Sequence, residues 1–182
     1  GPDEDKFTNL TRLSLAGLPT IPTFFCWHNR IEDKKNKIIA EFGLPLIAKQ
    51  LSIHRGKGVI LIRNKDDFKK LPKEFPEGEF MFQKYYESKD EYRILVLKNS
   101  IGAYERKVPQ GKEWRGNVAL GAKEEFIAVK KIPEDLKEIA VGAAKTLNIQ
   151  IAGVDILVDN NGKIWLLEVN RGPGITYDDK TS

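Results

Sequence analysis

Hydrophobic residues recur at helical spacing in three places along the chain. The first stripe ends at Gly17 and the second at Gly43, and a glycine directly after an apolar stripe is a common signal for the C-terminus of a helix. Pro133 opens the third stripe at the first helical position, which proline favours. The stripes consist of Leu10, Leu13 and Ala16; of Ile31, Ile38, Ile39 and Phe42; and of Leu136, Ile139, Ala140, Ala143 and Leu147. This pattern predicts three amphipathic helices.

Short runs rich in β-branched and aromatic residues predict the strands. In chain order they are TFFCW, PLIAK, GVILI, FMFQKYY, YRILVL and IGAYERK, with a short helix expected only near residues 66–71. Because few helices lie between these runs, most strand pairs should be antiparallel. We therefore predict an α+β fold in two lobes, a smaller one over residues 20–82 and a larger one over residues 83–182.

The segment from Gly153 to Gly174 predicts a hairpin with polar residues on one face. Asn161-Gly162 is a strong signal for a two-residue turn, and this turn would place Asp155 opposite Glu168. It would also pair Gly153 with Asn170, Val154 with Val169, Ile156 with Leu167 and Val158 with Trp165. Opposed carboxylates cost about 0.2 to 1 kcal/mol, so a positive group should lie between them. Oxygen ligands suit Mg²⁺, although both carboxylates pointing to solvent is the open alternative.

A second segment combines a lysine with glycines. Lys49 ends an apolar strand, and a loop with Gly56 and Gly58 follows. Backbone amides of such a loop can contact phosphates, and a lysine in a strand supplies a fixed charge. The segment is not a Walker A loop, because a strand follows it and the GxxxxGK[ST] spacing is missing. An ordinary hairpin with a solvent-exposed lysine is the alternative.

The strand pair YRILVL and IGAYERK allows two registers. A turn at Asn99-Ser100 places Arg93 opposite Arg106, which an anion between the two would explain. A three-residue loop places Arg93 opposite Glu105 in an ordinary cross-strand ion pair. The sequence leaves both registers open.

The order of these motifs resembles that of the ATP-grasp ligases, and within them the RimK-like group that adds glutamate to a carboxyl terminus. The resemblance runs through Asp5-Lys6, LAGLPTIPT, PLIAKQ, GKGV, FQKYY, YRILVL, ERK, RGN, AGVDILV and LEVNRGPGI. It implies a single ATP-grasp domain over residues 3–182, with the nucleotide held between two mainly antiparallel sheets. It also implies an ADP-forming ligase that joins a carboxylate to an amine through an acyl phosphate.

The resemblance further implies a role for each site residue. The hinge strand beside adenine would be Gln83, Lys84 and Tyr85, and Glu91 would lie near the ribose. The phosphates of ATP would contact Lys49, Gly56, Gly58, Arg115 and Asn117. Two Mg²⁺ ions, with Mn²⁺ as the alternative ion, would bind Asp155, Glu168 and Asn170. The catalytic cations near the acyl phosphate would be Arg93, Arg106 and Arg115.

The sequence also departs from the family pattern. Lys84 stands where an acidic residue is usual, Glu91 replaces a usual Asp, and the loop SIHRGKG is bulkier than the usual one. Family members usually have another α/β domain before this one, so we expect a fragment or a minimal form. Gly1-Pro2 resembles the remnant of a cleaved tag.

Composition narrows the function classes. The net charge of the 182 residues is only +4, and Lys34-Lys35-Asn36-Lys37 fits a solvated helix face better than a polyanion site. Cys26 is the single cysteine, and no apolar run approaches the roughly 18 residues of a membrane span. We expect a cytoplasmic protein with no membrane partner, while an oligomer remains compatible with the sequence. The rival functions are a nucleotide-binding module without turnover and a basic nucleic-acid-binding domain.

Overall fold

The structure, a computed structural model, describes residues 6–51, 58–108 and 123–173. Its helices are α1 Lys6–Leu15, α2 Ile31–Phe42, α3 Leu71–Glu74 and α4 Glu134–Thr146. Its strands are β1 Thr23–Trp27, β2 Leu46–Gln50, β3 Val59–Ile62, β4 Glu79–Lys84, β5 Ser88–Leu97, β6 Ser100–Val108, β7 Lys123–Phe126, β8 Ile151–Asp159 and β9 Ile164–Arg171. Short 3-10 turns span His28–Arg30, Lys65–Lys70 and Val129–Lys131.

Within these residues the strands form two separate sheets. The smaller sheet has the order β1-β4-β2-β3, and the larger one has the order β7-β6-β5-β8-β9. Each of these neighbouring pairs is antiparallel. The helices lie against the sheets rather than alternating with parallel strands, which confirms the predicted α+β class.

Each sheet has its own hydrophobic core. In the smaller sheet, Phe82 packs against Ile38 of α2 and stacks on Phe68 with ring centroids 5.7 Å apart. In the larger sheet, Val154 and its neighbours pack against Ala140 of α4. These residues are all almost fully buried, so removal of their apolar surface from water stabilises both halves of the fold.

Helix α1 has buried residues in both halves. Leu13 belongs to the core of the larger sheet, whereas Leu10 packs with Met81 and Leu51 of the smaller one. One turn earlier, Phe7 contacts Phe25 with ring centroids 4.9 Å apart. The helix ends where the sequence predicts, because Gly17 follows it with a φ of +79°, a conformation that glycine adopts without strain.

The β8–β9 hairpin has the predicted register at its open end only. Asp155 faces Glu168, and the pairs Gly153–Asn170 and Val154–Val169 are also as predicted. A register shift after Asp155 pairs Ile156 with Leu166 and Val158 with Ile164, so the predicted partners Leu167 and Trp165 are wrong.

The cause of this shift lies at the turn of the hairpin. Asp159 and Lys163 close a three-residue loop, in which Gly162 has a φ of +79°, instead of the predicted two-residue turn. The carboxylate of Asp159 accepts hydrogen bonds from the backbone of Asn161 and Lys163 and from the Trp165 indole. These bonds stabilise the longer loop.

Two smaller predictions also differ from the structure. Pro133 is the residue that precedes α4 rather than its first helical residue, because its ψ of 140° is extended. The strand predicted as FMFQKYY ends at Lys84, which leaves both tyrosines outside β4. No helix among the described residues is long and apolar enough to span a membrane.

Candidate active site

Four charged residues form one line across the larger sheet. Glu105 on β6 faces Arg93 on β5, and Arg93 in turn faces Asp155 on β8. Asp155 faces Glu168 on β9. Because side chains alternate between the faces of a strand, these four share one face, and we call them the charged row. Their sequence neighbours on the other face, Tyr104, Ile94, Val154 and Val169, pack into the core with α4.

The carboxylate of Asp155 is the most heavily paired group of the row. It accepts two hydrogen bonds from the Arg93 guanidinium, through Nε and Nη2, each at 2.9 Å. It accepts a third from Lys107 Nζ at 2.8 Å. Burial raises the pKa of Asp155, but Lys107 and Arg93 together outweigh burial, so the pKa lies below its ordinary value. Asp155 is therefore a fixed anion beside two fixed cations.

Lys107 was not predicted as a site residue, whereas Arg106 was predicted and lies elsewhere. Arg106 pairs with Tyr92 in the register and therefore points to the opposite face of β6 from Lys107. It contacts Asp90 and Glu125, both at 3.5 Å, and its side chain is 43% exposed. The register that would place Arg93 opposite Arg106 is therefore not formed, and the catalytic role predicted for Arg106 stays a prediction.

The Arg93–Glu105 pairing puts Lys107 on the face of the charged row, and it is produced by a turn that differs from both predicted turns. It is one of the two registers that the sequence allows, but a turn at Lys98-Asn99 and a bulge after Leu95 produce it. Neither of the two turns proposed from the sequence is formed. Once this register is known, strand alternation alone identifies Lys107 as a residue on the face of the charged row.

Lys49 on the smaller sheet lies within electrostatic reach of the charged row. Burial lowers the pKa of Lys49, while the carboxylates of Glu168, Glu91 and Asp155 act in the opposite direction. Lys6 at the start of α1 adds a further positive charge, because its Nζ lies 3.3 Å from a carboxylate oxygen of Glu168. The two sheets therefore contribute lysines and carboxylates to the same site.

The predicted hinge residues follow one another at the end of β4. Gln83 is buried, and its Nε2 donates a hydrogen bond to Thr23 Oγ1 at 2.8 Å. Lys84 is exposed, and its Nζ lies 5.4 Å from the centroid of the Tyr86 ring. Burial raises the pKa of Tyr85, and Glu87 raises it further. Gln83 is therefore held in place by the neighbouring strand β1.

Other predicted residues border the charged row. Glu91 on β5 lies opposite Lys107 on β6, and this pair is two residues along the strands from the Arg93–Glu105 pair. Asn170 lies beside Glu168 on the same face, opposite Gly153, where an added Cβ would approach Pro173 Cβ to 2.6 Å.

Gly58 precedes β3, and its carbonyl accepts a hydrogen bond from Gln50. The predicted residues Gly56, Arg115 and Asn117 lie outside the described residues.

The oxygen donors of the site fit Mg²⁺ in type. No group of three or more His, Cys, Asp or Glu residues suited to a metal is found among the described residues. Asp155, Glu168 and Asn170 offer oxygen atoms only, and one or two carboxylates plus substrate phosphates are a usual environment of Mg²⁺. Three of about four acceptor positions on Asp155 are already used. These oxygen ligands therefore fit a cation that binds together with phosphates. The nearby lysines and Arg93 would balance the negative charge of the phosphates.

Two solved structures have folds similar to that of this chain. N5-carboxyaminoimidazole synthetase from Staphylococcus aureus, complexed with ADP, superposes with a TM-score of 0.76 at 20% identity, covering 93% of this chain and 45% of that one. The ATP-grasp ligase PsnB, complexed with a phosphomimetic variant of its minimal precursor, Mg and ADP, superposes with a TM-score of 0.70 at 24% identity, covering 93% and 50%. These similarities confirm the predicted ATP-grasp fold.

The sequence comparisons identify the family. A probable alpha-L-glutamate ligase from Legionella pneumophila (strain Corby) is 31% identical over 182 residues, which cover 98% of this chain and 58% of the relative. The chain thus spans less than two thirds of the length of that relative. Residues 3–182 match the RimK-like ATP-grasp domain. The chain therefore belongs to the RimK-like ATP-grasp family.

Proposed function

We propose that this domain binds MgATP between its two sheets and catalyses ligation of a carboxylate to an amine. The carboxylate would take the γ-phosphoryl group of ATP, and attack of the amine on the acyl phosphate would give an amide, phosphate and ADP. The observation that supports this most directly is the charged row together with Lys107. Two carboxylates of the row, Glu168 and Asp155, lie within electrostatic reach of Lys49 on the other sheet. Family membership supports the same reaction class.

The charges of the site suit this reaction. Attack of a carboxylate on a phosphoryl group brings two anions together, so the protein must supply positive charge that is already in place. Arg93 is fixed by two hydrogen bonds to Asp155, and Lys107 is fixed by a third. These two cations would face the transferring phosphoryl group or the acyl phosphate. No protein nucleophile is required.

Lys49 and Lys6 would contact the phosphates of ATP. Lys49 is held in strand β2, so its ammonium group needs little reorganisation to meet an anion. Lys6 contacts Glu168, and it would exchange this partner for a phosphate when Glu168 binds the metal. Bound Mg²⁺ would neutralise phosphate charge and orient the γ-phosphoryl group. Asp155, Glu168 and Asn170 would bind Mg²⁺, with Mn²⁺ as an alternative ion.

Glutamate is the substrate that we propose to test first. The relative from Legionella pneumophila is named as a probable alpha-L-glutamate ligase. The four positive groups Arg93, Lys107, Lys49 and Lys6 suit a substrate with several carboxylates as well as ATP. We propose an α-linked glutamate peptide as the product.

The nucleic-acid-binding alternative finds little support in the basic surface. Lys35, Lys69 and Lys70 each form an ion pair with an acidic residue three positions earlier, namely Glu32, Asp66 and Asp67. These pairs agree with the interpretation of the lysine-rich segments as solvated helix faces. The alternative of a nucleotide-binding module without turnover is tested together with the ligase function.

Mass spectrometry of the products tests the proposal. The protein is incubated with MgATP and pooled amino acids that include L-glutamate, and ADP is measured in parallel. We expect ADP release that depends on an amino acid, together with a new product one glutamate residue heavier than its precursor. Binding of MgADP without any ADP release would instead establish a nucleotide-binding module.

A further inference from the structure

Glu105, at the β6 end of the charged row, is a buried carboxylate with one oxygen that accepts no hydrogen bond from the described residues. Its side chain is only 4% exposed, and its Oε2 atom has no hydrogen-bond partner in the described part of the chain. Buried carboxylate oxygens almost always accept a hydrogen bond, since an unmet one costs about 1 to 3 kcal/mol or more. We therefore expect a bound ligand to supply the hydrogen-bond donor for Glu105 Oε2.

The chemistry of the ligands restricts what that donor can be. The phosphates of ATP and the carboxylate substrate are anionic acceptors, and Glu105 would repel both of them. The incoming amine is the reactant that brings N–H groups to the acyl phosphate. Arg93, directly opposite Glu105, is among the cations expected to hold that acyl phosphate. An amine that donates to Glu105 would therefore stand beside the atom that it attacks.

We propose that Glu105 is the catalytic residue that accepts a hydrogen bond from the incoming amine and takes its proton during amide formation. This role rests on the proposed ligase function. The lone pair of the amine nitrogen forms the new C–N bond with the acyl carbon, and the bond from that carbon to the phosphate oxygen breaks, with its electron pair leaving on phosphate. L-Glutamate arrives as an ammonium ion and loses two protons from nitrogen. The first goes to Glu105 Oε2, and from there to solvent, before the lone pair attacks. The second leaves nitrogen as the amide forms and is taken up by the departing phosphate.

The charged groups around Glu105 suit a proton acceptor that works near neutral pH. The pKa of Glu105 is raised to about 7 by the sum of its surroundings, with burial as the largest cause and Glu124 on β7 as the next. Arg93 on β5 and Lys107 on β6 lower the pKa, and Asp155 on β8 has a small raising effect. A carboxylate with an ordinary pKa would be a much weaker base for this step.

A comparison of two amines separates this role from a structural one. L-Glutamate is protonated at neutral pH and must lose a proton to react, whereas hydroxylamine is already largely unprotonated and traps acyl phosphates without a base. Wild type, Glu105→Gln and Glu125→Gln are assayed with MgATP, a glutamate tetrapeptide as the carboxylate, and either amine. Glu125 is the matched control, because it lies on the adjacent strand with its side chain exposed.

We expect Glu105→Gln to lower the rate with L-glutamate by about 10² to 10⁴-fold and to leave hydroxamate formation within about threefold of wild type. The control variant should retain both rates. Equal loss with both amines, or no loss with either, would overturn the role of Glu105 while leaving the ligase function intact. Failure of the wild type to form either product would overturn the ligase function itself.

A second measurement needs no variant and therefore does not depend on how Glu105→Gln folds. In the wild type, kcat/KM for L-glutamate should show an inflection near pH 7, as Glu105 becomes able to accept a proton. The profile with hydroxylamine, expressed per concentration of unprotonated hydroxylamine, should lack this inflection. Two profiles with the same inflection would assign it to nucleotide or carboxylate binding and would contradict the proposal.

Discussion

Lys107 Nζ and Asp155 Oδ1 are 2.8 Å apart although their strands are not neighbours in the sheet. Strand β5 lies between them, and its residue Arg93 donates to the same oxygen at 2.9 Å. Both Lys107 and Asp155 are buried. One carboxylate therefore connects three strands through two cations. Loss of either cation should lower the free energy of unfolding and also disturb the site.

Replacement of Lys107 tests this connection. Lys107→Met keeps the length and apolar stem of the side chain but removes its charge. Because Arg93 still compensates Asp155, we expect a loss of about 1 to 3 kcal/mol in the free energy of unfolding, below the 3 to 5 kcal/mol typical of an uncompensated buried charge. Urea unfolding measures it. Lys123→Met, at an exposed position of β7, is the control and should leave the free energy of unfolding unchanged. The same free energy of unfolding in Lys107→Met and wild type would contradict the described ion pair.

Lys49→Ala should weaken nucleotide binding without loss of the fold. Burial already disfavours the charged form of Lys49, so removal of the ammonium group should cost the apo protein less than about 1 kcal/mol. We expect the affinity for MgADP, measured by calorimetry, to fall at least about tenfold, since a charge-assisted hydrogen bond contributes about 1.5 to 3 kcal/mol. Lys145→Ala, on the exposed side of α4, should bind normally. Normal affinity of folded Lys49→Ala would remove this lysine from the site.

Glu168→Gln tests the metal ligands without disturbing Asp155. The Glu168 side chain is 33% exposed and contacts Lys6, so the substitution should change apo stability by about 1 kcal/mol or less. At a hundredfold excess over its dissociation constant, MgADP should stabilise the wild type by about 2.7 kcal/mol, or roughly 5 to 10 °C in Tm. We expect Glu168→Gln to lose most of this shift in a thermal melt. Glu138→Gln on α4 should keep it, and a full response from Glu168→Gln would show that the carboxylate binds no metal.

Arg106 and Arg93 should differ sharply in their effect on turnover. Arg93→Lys loses the planar fork that binds both oxygens of Asp155, and we expect MgATP-dependent ADP release to fall at least about tenfold. Arg106→Ala should stay within about threefold of wild type, because its side chain lies on the opposite face of β6. Equal losses in the two variants would return Arg106 to the site.

The stability of the protein should depend on pH through Glu105. Its pKa in the folded protein is raised from 4.5 to about 7, so the folded state binds a proton more tightly than the unfolded state. The resulting stabilisation is complete below about pH 4.5 and is lost as the pH rises through about 7, by up to roughly 3 kcal/mol. Glu105→Gln should lack this part of the profile. Urea unfolding at pH 5, 6, 7 and 8 compares the two proteins, and parallel profiles would show that Glu105 does not titrate in this range.

Local signals in the sequence account for much of the fold and for part of the site. The helix ends at Gly17 and Gly43 are marked by residues that adopt positive φ without strain. The predicted opposition of Asp155 and Glu168 matches the structure because two departures from the prediction offset each other: the loop is one residue longer than the predicted turn, and the register shift after Asp155 restores the pairing at the open end.

The parts that could not be predicted depend on features that leave little trace in the sequence. The turn before β6 uses Lys98 with a φ of +56°, which is uncommon for lysine, and the bulge after Leu95 has no residue that marks it. These two features together decide that Lys107 rather than Arg106 shares the face of Arg93. Strand β7 reads KEEF, so it lacks the apolar alternation by which strands are recognised. The division into lobes at residues 82 and 83 stays a prediction.

The position of α1 has a consequence for motion within the domain. The helix packs on the larger sheet through Leu13 and on the smaller one through Leu10 and Phe7, and its first residue, Lys6, contacts Glu168. The two sheets cannot separate or rotate without repacking one end of this helix. Any widening of the cleft to admit nucleotide should therefore change hydrogen exchange first at the N-terminal half of α1, before either core is affected.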